Sequence, residues 1–213
     1  MVVNDVQSLF SASLDELELT EKQKAVLRAS LQLFAKKGFA DTSTREIAEL
    51  AGVAEGTVYK QFKTKDGILA AIITPFIQQV VPKAATEFLV SIEQSASLNL
   101  EQFLRTIIIN RLTFVSDNLP QLRIFIQQAL TKPELLQQFG KMLTSLIAGP
   151  LGKQLQKYQK TGELVNLSLT RIVQYIITTI LGYGLAAILA DQPLEIKKAS
   201  DEAVVFLLHG LKK

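Results

Sequence analysis

The chain has no cysteine, no tryptophan and a single histidine, His209. Without cysteine it has no disulfides, no thiolate zinc site, no iron–sulfur cluster and no thiol nucleophile. One histidine leaves little for a histidine-based metal site or a Ser–His–Asp triad, and His209 has no carboxylate three or four residues away. We therefore expect a protein that is not an enzyme and that requires no metal or cofactor.

Strong charge of either sign is also lacking, because the net charge is only +3. Residues 1–19 carry four acidic side chains and no basic one, whereas residues 20–66 carry nine basic and six acidic ones. A polyanionic partner would therefore be recognised through geometry and not through bulk charge. The first 19 residues lack the basic start and long apolar core of a secretory signal, so we expect a cytoplasmic location.

The hydrophobic pattern is helical nearly throughout the 213 residues, 48% of which are hydrophobic. Capping boxes at Thr20–Gln23 and Ser43–Glu46 predict two helix starts, and Gly38 and Gly52 predict the ends of those helices. Farther along, prolines and short polar segments predict turns or helix ends, among them Pro75, Pro82, Pro120, Pro133, Pro150, Gly162 and Pro193.

These signals predict an all-α protein of nine or ten helices. We divide the chain into an acidic arm at 1–19, a small three-helix unit at 20–66 and a larger helical bundle at 67–213. The arm has a helical apolar periodicity but no function that the sequence assigns.

Residues 42–65 contain two short predicted helices joined by a three-residue corner, Ala51-Gly52-Val53. This is the arrangement of a helix-turn-helix, in which a glycine with positive φ lets the chain reverse sharply. An αα-corner inside a bundle, with a solvated charged face, is the alternative explanation. On the residues alone, hydroxyls suit phosphate oxygens, basic side chains suit guanine edges and helix N-termini suit anions, which singles out Thr44, Arg45, Thr57, Tyr59, Lys60 and Lys65.

Residues 22–69 resemble the DNA-binding region of the TetR-like bacterial transcriptional regulators. The resemblance follows the family's order and spacing through Ala29, Leu33-Phe34, Gly38-Phe39, Thr44, Ile47-Ala48, Ala51-Gly52-Val53, Gly56-Thr57-Val58-Tyr59, Phe62, Lys65 and Leu69. It implies phosphate contacts from Thr44, Thr57, Tyr59 and Lys65, and base contacts from Arg45, Ala54, Glu55, Gly56 and Lys60. Glu55 departs from the small polar or basic residue that is common there, and could accept a hydrogen bond from cytosine or repel a phosphate.

The resemblance further implies a divergent carboxy-terminal domain that binds a small molecule and forms a homodimer through the last two helices, at about 167–190 and 194–211. The segment 172–190 has no charge and is long enough for a membrane span, but its polar residues and the absence of a flanking basic cluster favour a dimer core and no membrane. A GxGxxA pattern at 182–187 matches a dinucleotide-binding fingerprint, but too few residues follow it for that fold.

Polar side chains interrupt apolar helices between 100 and 130, at Asn110, Arg111, Gln127 and Gln128. They either orient a ligand or face solvent, and helical phase does not decide. For an effector pocket we select Phe103, Asn110, Phe114, Gln127 and Tyr175, and we expect a small apolar effector.

Together these expectations describe a homodimeric, ligand-responsive repressor that binds a palindromic operator in double-stranded DNA. The alternatives are a helical enzyme or carrier of an apolar small molecule and a membrane-associated protein, both without DNA binding.

Overall fold

The computed structural model describes residues 5–95, 97–129, 133–190 and 192–213, and within these ranges the regular structure is helical. The predicted all-α class is therefore confirmed. The helices are α1 (Val6–Asp15), α2 (Glu21–Lys37), α3 (Thr44–Ala51), α4 (Glu55–Phe62), α5 (Lys65–Pro75), α6 (Val81–Gln94), α7 (Leu100–Asp117), α8 (Leu119–Ala129), α9 (Pro133–Ala148), α10 (Pro150–Thr161), α11 (Leu169–Ala190) and α12 (Ile196–Leu211).

Helix boundaries follow the capping signals closely. Both predicted capping boxes form, at Thr20 with Gln23 and at Ser43 with Glu46. In each box the side chain of the first residue accepts a backbone N–H bond, and the glutamine or glutamate side chain accepts one in return. Gly38, at φ +90°, ends α2 as predicted.

The prediction that Pro82 marks a turn is wrong, and the count of nine or ten helices is too low. Residues 65–94 form one continuous helical run in which the π-helical turn Phe76–Val80 joins α5 to α6. Proline lacks an N–H donor and crowds the turn that precedes it, and the turn that precedes Pro82 is the wider π-helical one. Pro82 is the second residue of α6 and directly follows the π-helical turn, so the run continues through it.

The chain forms two compact units. The first, here called the amino-terminal unit, consists of the described parts of 5–84 and 120–136. Its core includes Phe10, Phe34 and Ile47, and the Phe76 and Phe125 rings stack with centroids 3.2 Å apart. The predicted boundary between 20–66 and 67–213 does not coincide with the edge of this unit, so as a functional division it stays a prediction.

Helix α1, which lies in the predicted arm without an assigned function, belongs to this unit. Its apolar side chains Val6, Phe10 and Leu14 are fully buried. At its carboxy-terminal end, Asp15 accepts a 2.5 Å bond from Arg28 of α2, and Glu16 accepts a 2.7 Å bond from Lys83 of α6. Two of the four acidic residues of the predicted arm therefore pair with basic residues of the same unit.

The second, the carboxy-terminal unit, consists of the described parts of 85–119 and 137–213. Its core is formed by apolar faces of α6, α7, α10, α11 and α12, and α7 packs against both α11 and α12. The buried Tyr158 donates a 2.6 Å hydrogen bond from its hydroxyl to the carbonyl of Leu98. On the surface of α7, Arg105 forms ion pairs with Asp201 of α12 and with Glu101.

Candidate nucleic-acid interface

Helices α3 and α4 form the predicted helix-turn-helix. Gly52, the C-cap of α3, adopts the left-handed conformation with φ 69° and ψ 33°, and the N–H of Val53 returns to the carbonyl of Ala48 at 3.0 Å. A residue with a side chain rarely adopts this conformation, which explains the glycine at the corner. The inward side chains Ile47, Ala48 and Val58 are buried.

The opposite face of α4 is open to solvent. The side chain of Tyr59 is 49% exposed, and Ala54, Gly56 and Lys60 are also exposed, whereas Thr57 is half-buried. No atom outside the neighbouring backbone lies within 4 Å of the position that a Cβ on Gly56 would occupy. Internal packing therefore does not require a glycine there, and its absence of a side chain leaves the backbone of α4 accessible from outside.

A hydrogen-bonded group links the beginnings of the two helices. The Thr44 hydroxyl donates to Glu55 Oε1 at 2.8 Å and lies 3.0 Å from the Tyr59 hydroxyl. Glu55 and Tyr59 are four residues apart and so share one face of α4. Three of the nine predicted DNA-contacting residues are thus brought together, and the carboxylate has a hydrogen-bond partner within the protein.

Lys65, the first residue of α5, has a different environment from the other predicted phosphate contacts. Its Nζ atom donates to the carbonyls of Phe39, Ala40 and Thr42 at 2.7, 3.1 and 2.9 Å, and lies 4.6 Å from the centroid of the Phe39 ring. An ammonium has three N–H donors, and all three are used here. In this conformation Lys65 holds the segment between α2 and α3, and its contact with phosphate stays a prediction.

The remaining basic residues of the helix-turn-helix are exposed to solvent. Arg45 is exposed and its Nε atom donates to Glu49 at 3.1 Å, one turn farther along α3. Lys60 is exposed near the end of α4. A further exposed lysine that sequence reasoning did not select, Lys63, follows α4 at φ 61°, a conformation unusual for a residue with a side chain.

The Glu46 carboxyl group, in the first turn of α3, has a lowered pKa. A hydrogen bond from the Lys37 ammonium, together with bonds from the backbone and hydroxyl of Ser43, lowers the pKa of Glu46 to about 2. Glu46 therefore remains ionised through the neutral range and completes the capping box of α3. Through Lys37 it also connects α3 to the end of α2.

The five predicted pocket residues have different environments, and their role in binding an effector stays a prediction. Phe103 is fully buried in the core, where its ring lies 5.4 Å from that of Tyr158, and Tyr175 is exposed on α11. Gln127 is exposed and belongs to the other unit. Within the carboxy-terminal unit, Asn110 and Phe114 both contact Arg111. Sequence reasoning noted Arg111 as an interruption of an apolar helix but did not select it.

A separate groove of about 360 Å³ in the carboxy-terminal unit is lined by residues of α9 and α11. None of the five predicted pocket residues lines it; its lining is Gly140, Leu143, Thr144, Ile147, Thr170, Val173, Gln174, Ile177 and Thr178.

Helices α11 and α12 leave large apolar side chains on the surface. Leu181, Leu185 and Leu189 recur every four residues on α11, and Leu189 is 77% exposed. On α12, Phe206 is 70% exposed next to the exposed Val205. Among the described residues, two helical segments, 65–94 and 169–190, are long and apolar enough to cross a membrane, although core helices of soluble proteins have the same properties.

Comparison with known proteins places the helix-turn-helix in a family. Residues 26–72 match the family described as bacterial regulatory proteins, tetR family. Over 51 residues, or 24% of this chain, the sequence is 45% identical to the uncharacterized HTH-type transcriptional regulator YvkB of Bacillus subtilis. Over 53 residues it is 42% identical to the HTH-type transcriptional repressor Rv3405c of Mycobacterium tuberculosis. These matches span only 27% and 28% of the two relatives.

The fold as a whole also has counterparts. The transcriptional regulator FadR from Bacillus subtilis, whose structure is in complex with stearoyl-CoA, aligns over 87% of this chain and 97% of its own with a TM-score of 0.59. The two sequences are 22% identical, so this likeness concerns the fold alone. The sequence matches to curated relatives therefore concern the helix-turn-helix segment.

Proposed function

Because residues 26–72 form a helix-turn-helix domain of the TetR family, we propose that the protein is a ligand-responsive transcriptional regulator that binds operator DNA and acts as a repressor. The observation on which this rests is the exposed face of α4. Beyond a glycine corner it presents an accessible backbone at Gly56, a half-exposed Tyr59 and an exposed Lys60. An eight-residue helix with this face fits the major groove of B-DNA.

The proposed contacts divide into two groups. Hydroxyls at Thr44, Thr57 and Tyr59, and the ammonium of Lys65 if its carbonyl bonds are released, contact phosphates and position the helix. Base edges are read by side chains or backbone at Arg45, Ala54, Glu55, Gly56 and Lys60. Of these, Arg45 and Lys60 have the chemistry that suits guanine, whose O6 and N7 are acceptors.

We also propose that the protein is a homodimer through α11 and α12, the helices predicted at about 167–190 and 194–211. The exposed Leu189 and Phe206 supply the large apolar side chains that such an interface needs. A two-fold dimer would place two copies of α4 in successive major grooves about 34–36 Å apart, so the operator is expected to be a palindrome.

The effector is proposed to bind the carboxy-terminal unit and to favour a dimer geometry that does not fit the operator. The stearoyl-CoA bound to FadR, a protein of the same fold, supports an effector with a large apolar part. No metal or cofactor is needed for this mechanism. A DNA-binding regulator of this kind would act in the cytoplasm.

A gel-retardation titration tests the proposal, with the DNA upstream of the protein's own gene as probe. We expect a discrete retarded complex at submicromolar protein and competition by the palindrome within it. Lys60→Ala should relax preference at one or two base pairs, whereas Tyr59→Phe should weaken binding to every sequence alike. The control is Lys153→Ala, an exposed lysine of α10. Absence of retardation at low salt with micromolar protein would contradict the proposed function.

A further inference from the structure

Arg111 of α7 lies in an unusual environment in the carboxy-terminal unit. Its guanidinium carbon is 4.3 Å from the centroid of the Phe88 ring and 4.9 Å from that of Phe114. Its Nε atom donates a 2.7 Å hydrogen bond to Oδ1 of Asn110, which is itself buried. Two aromatic rings and one amide therefore fix the plane of the guanidinium.

The positive charge of Arg111 has no carboxylate partner within 4.0 Å in the described part of the chain. The two terminal nitrogens, Nη1 and Nη2, likewise donate no hydrogen bond to any described residue. Burial lowers the pKa of Arg111 to about 10, and the nearby Glu87 carboxylate raises it, so the side chain is charged at neutral pH. On the same helix Arg105, by contrast, is paired with both Asp201 and Glu101.

A largely buried cation with no carboxylate in direct contact is costly, and the two rings and the more distant Glu87 offset only part of the lost hydration. Proteins keep such a group where something else supplies the negative charge. The terminal nitrogens of a guanidinium form a planar fork that matches the two oxygens of a carboxylate or phosphate. Here the Nη1 and Nη2 atoms are available for such a ligand, while Nε is already bonded.

We propose that Arg111 binds the anionic group of the effector, and that the effector is therefore an acid: a carboxylate or phosphate attached to an apolar body. The Phe88 and Phe114 rings both contact the guanidinium and provide apolar surface next to it, and Asn110 orients it by accepting the hydrogen bond from Nε. This assignment rests on the proposed function, because it takes the carboxy-terminal unit as the site of the effector.

Calorimetric titration of the full-length protein in the absence of DNA tests this assignment. The probes are decanoate, decyl phosphate and the uncharged decanol. We expect at least one of the two anions to bind. The anion that binds more tightly, decanoate or decyl phosphate, distinguishes a carboxylate effector from a phosphate effector. Arg111→Gln should weaken that binding about ten- to a hundredfold, the effect of removing a hydrogen-bonded charge, and should leave decanol unaffected. Lys153→Gln, which removes an exposed positive charge, is the control.

Glu87→Gln provides a second variant that does not depend on the stability of the arginine variants. Since the Glu87 carboxylate competes with a bound anion for the guanidinium, its removal should strengthen anion binding. If Arg111 has a purely structural role, Glu87→Gln should not change anion binding.

Thermal unfolding without ligand adds a further measurement. Arg111→Met should be as stable as the wild type or more so, whereas a structural role of Arg111 predicts a lower thermal midpoint.

The inference is overturned if neither anion binds, if decanol binds as well as the anions, or if Arg111→Gln binds them as the wild type does. Gel retardation of the wild-type protein without ligand is measured in parallel. Retardation without anion binding would reject the Arg111 assignment alone, whereas loss of retardation would reject the proposed function.

Discussion

The Thr44 hydroxyl, at the first position of α3, donates a 2.8 Å hydrogen bond to Glu55, at the first position of α4. This bond connects the beginnings of the two helices of the helix-turn-helix directly. It also fixes a negative charge on the face that we propose meets DNA. The carboxylate therefore has two opposing effects under this proposal. It orders Thr44, whose hydroxyl also lies next to that of Tyr59, and it would repel nearby phosphates.

Replacing Glu55 by glutamine separates these effects, because glutamine keeps an oxygen acceptor for Thr44 and removes the charge. We expect Glu55→Gln to bind unrelated duplex DNA about two- to tenfold more tightly at low salt, and the gain to shrink as salt screens the charge. Fluorescence anisotropy with a random-sequence duplex measures the change. Glu101→Gln on α7 is the control, and a loss of affinity confined to one base pair would instead assign Glu55 to cytosine recognition.

Lys65 is expected to stabilise the protein whether or not it also contacts DNA. Its three bonds to the carbonyls of Phe39, Ala40 and Thr42 hold the segment that connects α2 to α3. Lys65→Ala should lower the free energy of unfolding by about 1.5–3 kcal/mol, the range for hydrogen bonds from a charged group. Urea denaturation measures this loss.

The adjacent Lys63, which is exposed after α4, is the matched control, and its replacement by alanine should change stability by less than about 0.5 kcal/mol. If Lys65→Ala is as stable as the wild type, the three bonds are not important for stability. The salt dependence of DNA binding then addresses the phosphate contact, since losing one such contact reduces the slope of log K against log salt by about one.

Local signals in the sequence were sufficient for the elements of this fold. Capping boxes, the glycine corner and the helical periodicity act within three or four residues, and they placed α2, α3 and α4 correctly. The continuous run from 65 to 94 was not predicted because a proline is compatible with a helix once a π turn widens it.

The contacts around Thr44, Lys65 and Arg111 depend on how separate helices pack together, and local sequence patterns do not reveal this. Thr44 and Glu55 are eleven residues apart, and Lys65 reaches carbonyls more than twenty residues earlier. The environment of Arg111 also depends on how separate helices pack. Helical phase did not decide between a solvent-facing and a buried Arg111, and only the positions of Phe88 and Phe114 do so.

The acid stability of the protein is expected to depend on Glu46, whose pKa is lowered to about 2 first by Lys37 and then by Ser43. The lowered pKa in the folded state means that Glu46 contributes stability above its ordinary pKa of 4.5, and that this contribution is lost as the pH falls toward 2. The thermal midpoint of Glu46→Gln should therefore be lower than that of the wild type at pH 6, and the two should converge near pH 2. In a protein that already carries Lys37→Met, replacing Glu46 by glutamine should change the thermal midpoint much less. If the midpoints of Glu46→Gln and the wild type differ by the same amount at every pH, the assignment is contradicted.

The proposed dimer gives the last prediction. Phe206 is a large apolar side chain that is 70% exposed on α12, and a glutamate in its place would introduce a charge into a desolvated interface. In analytical ultracentrifugation the wild type should sediment at about twice the 23.5 kDa chain mass, and Phe206→Glu should raise the dissociation constant at least about thirtyfold, the effect of losing an interface residue worth 2 kcal/mol. Val90→Glu, which changes an exposed apolar residue of α6 outside the proposed interface, should remain dimeric.

The Phe206→Glu variant also tests how the dimer binds DNA, because each half of a palindrome binds one copy of α4. Phe206→Glu should bind a half-site as tightly as the wild type does, but should lose the higher affinity of the wild type for the full palindrome. A wild type that is monomeric at high concentration would rule out the interface.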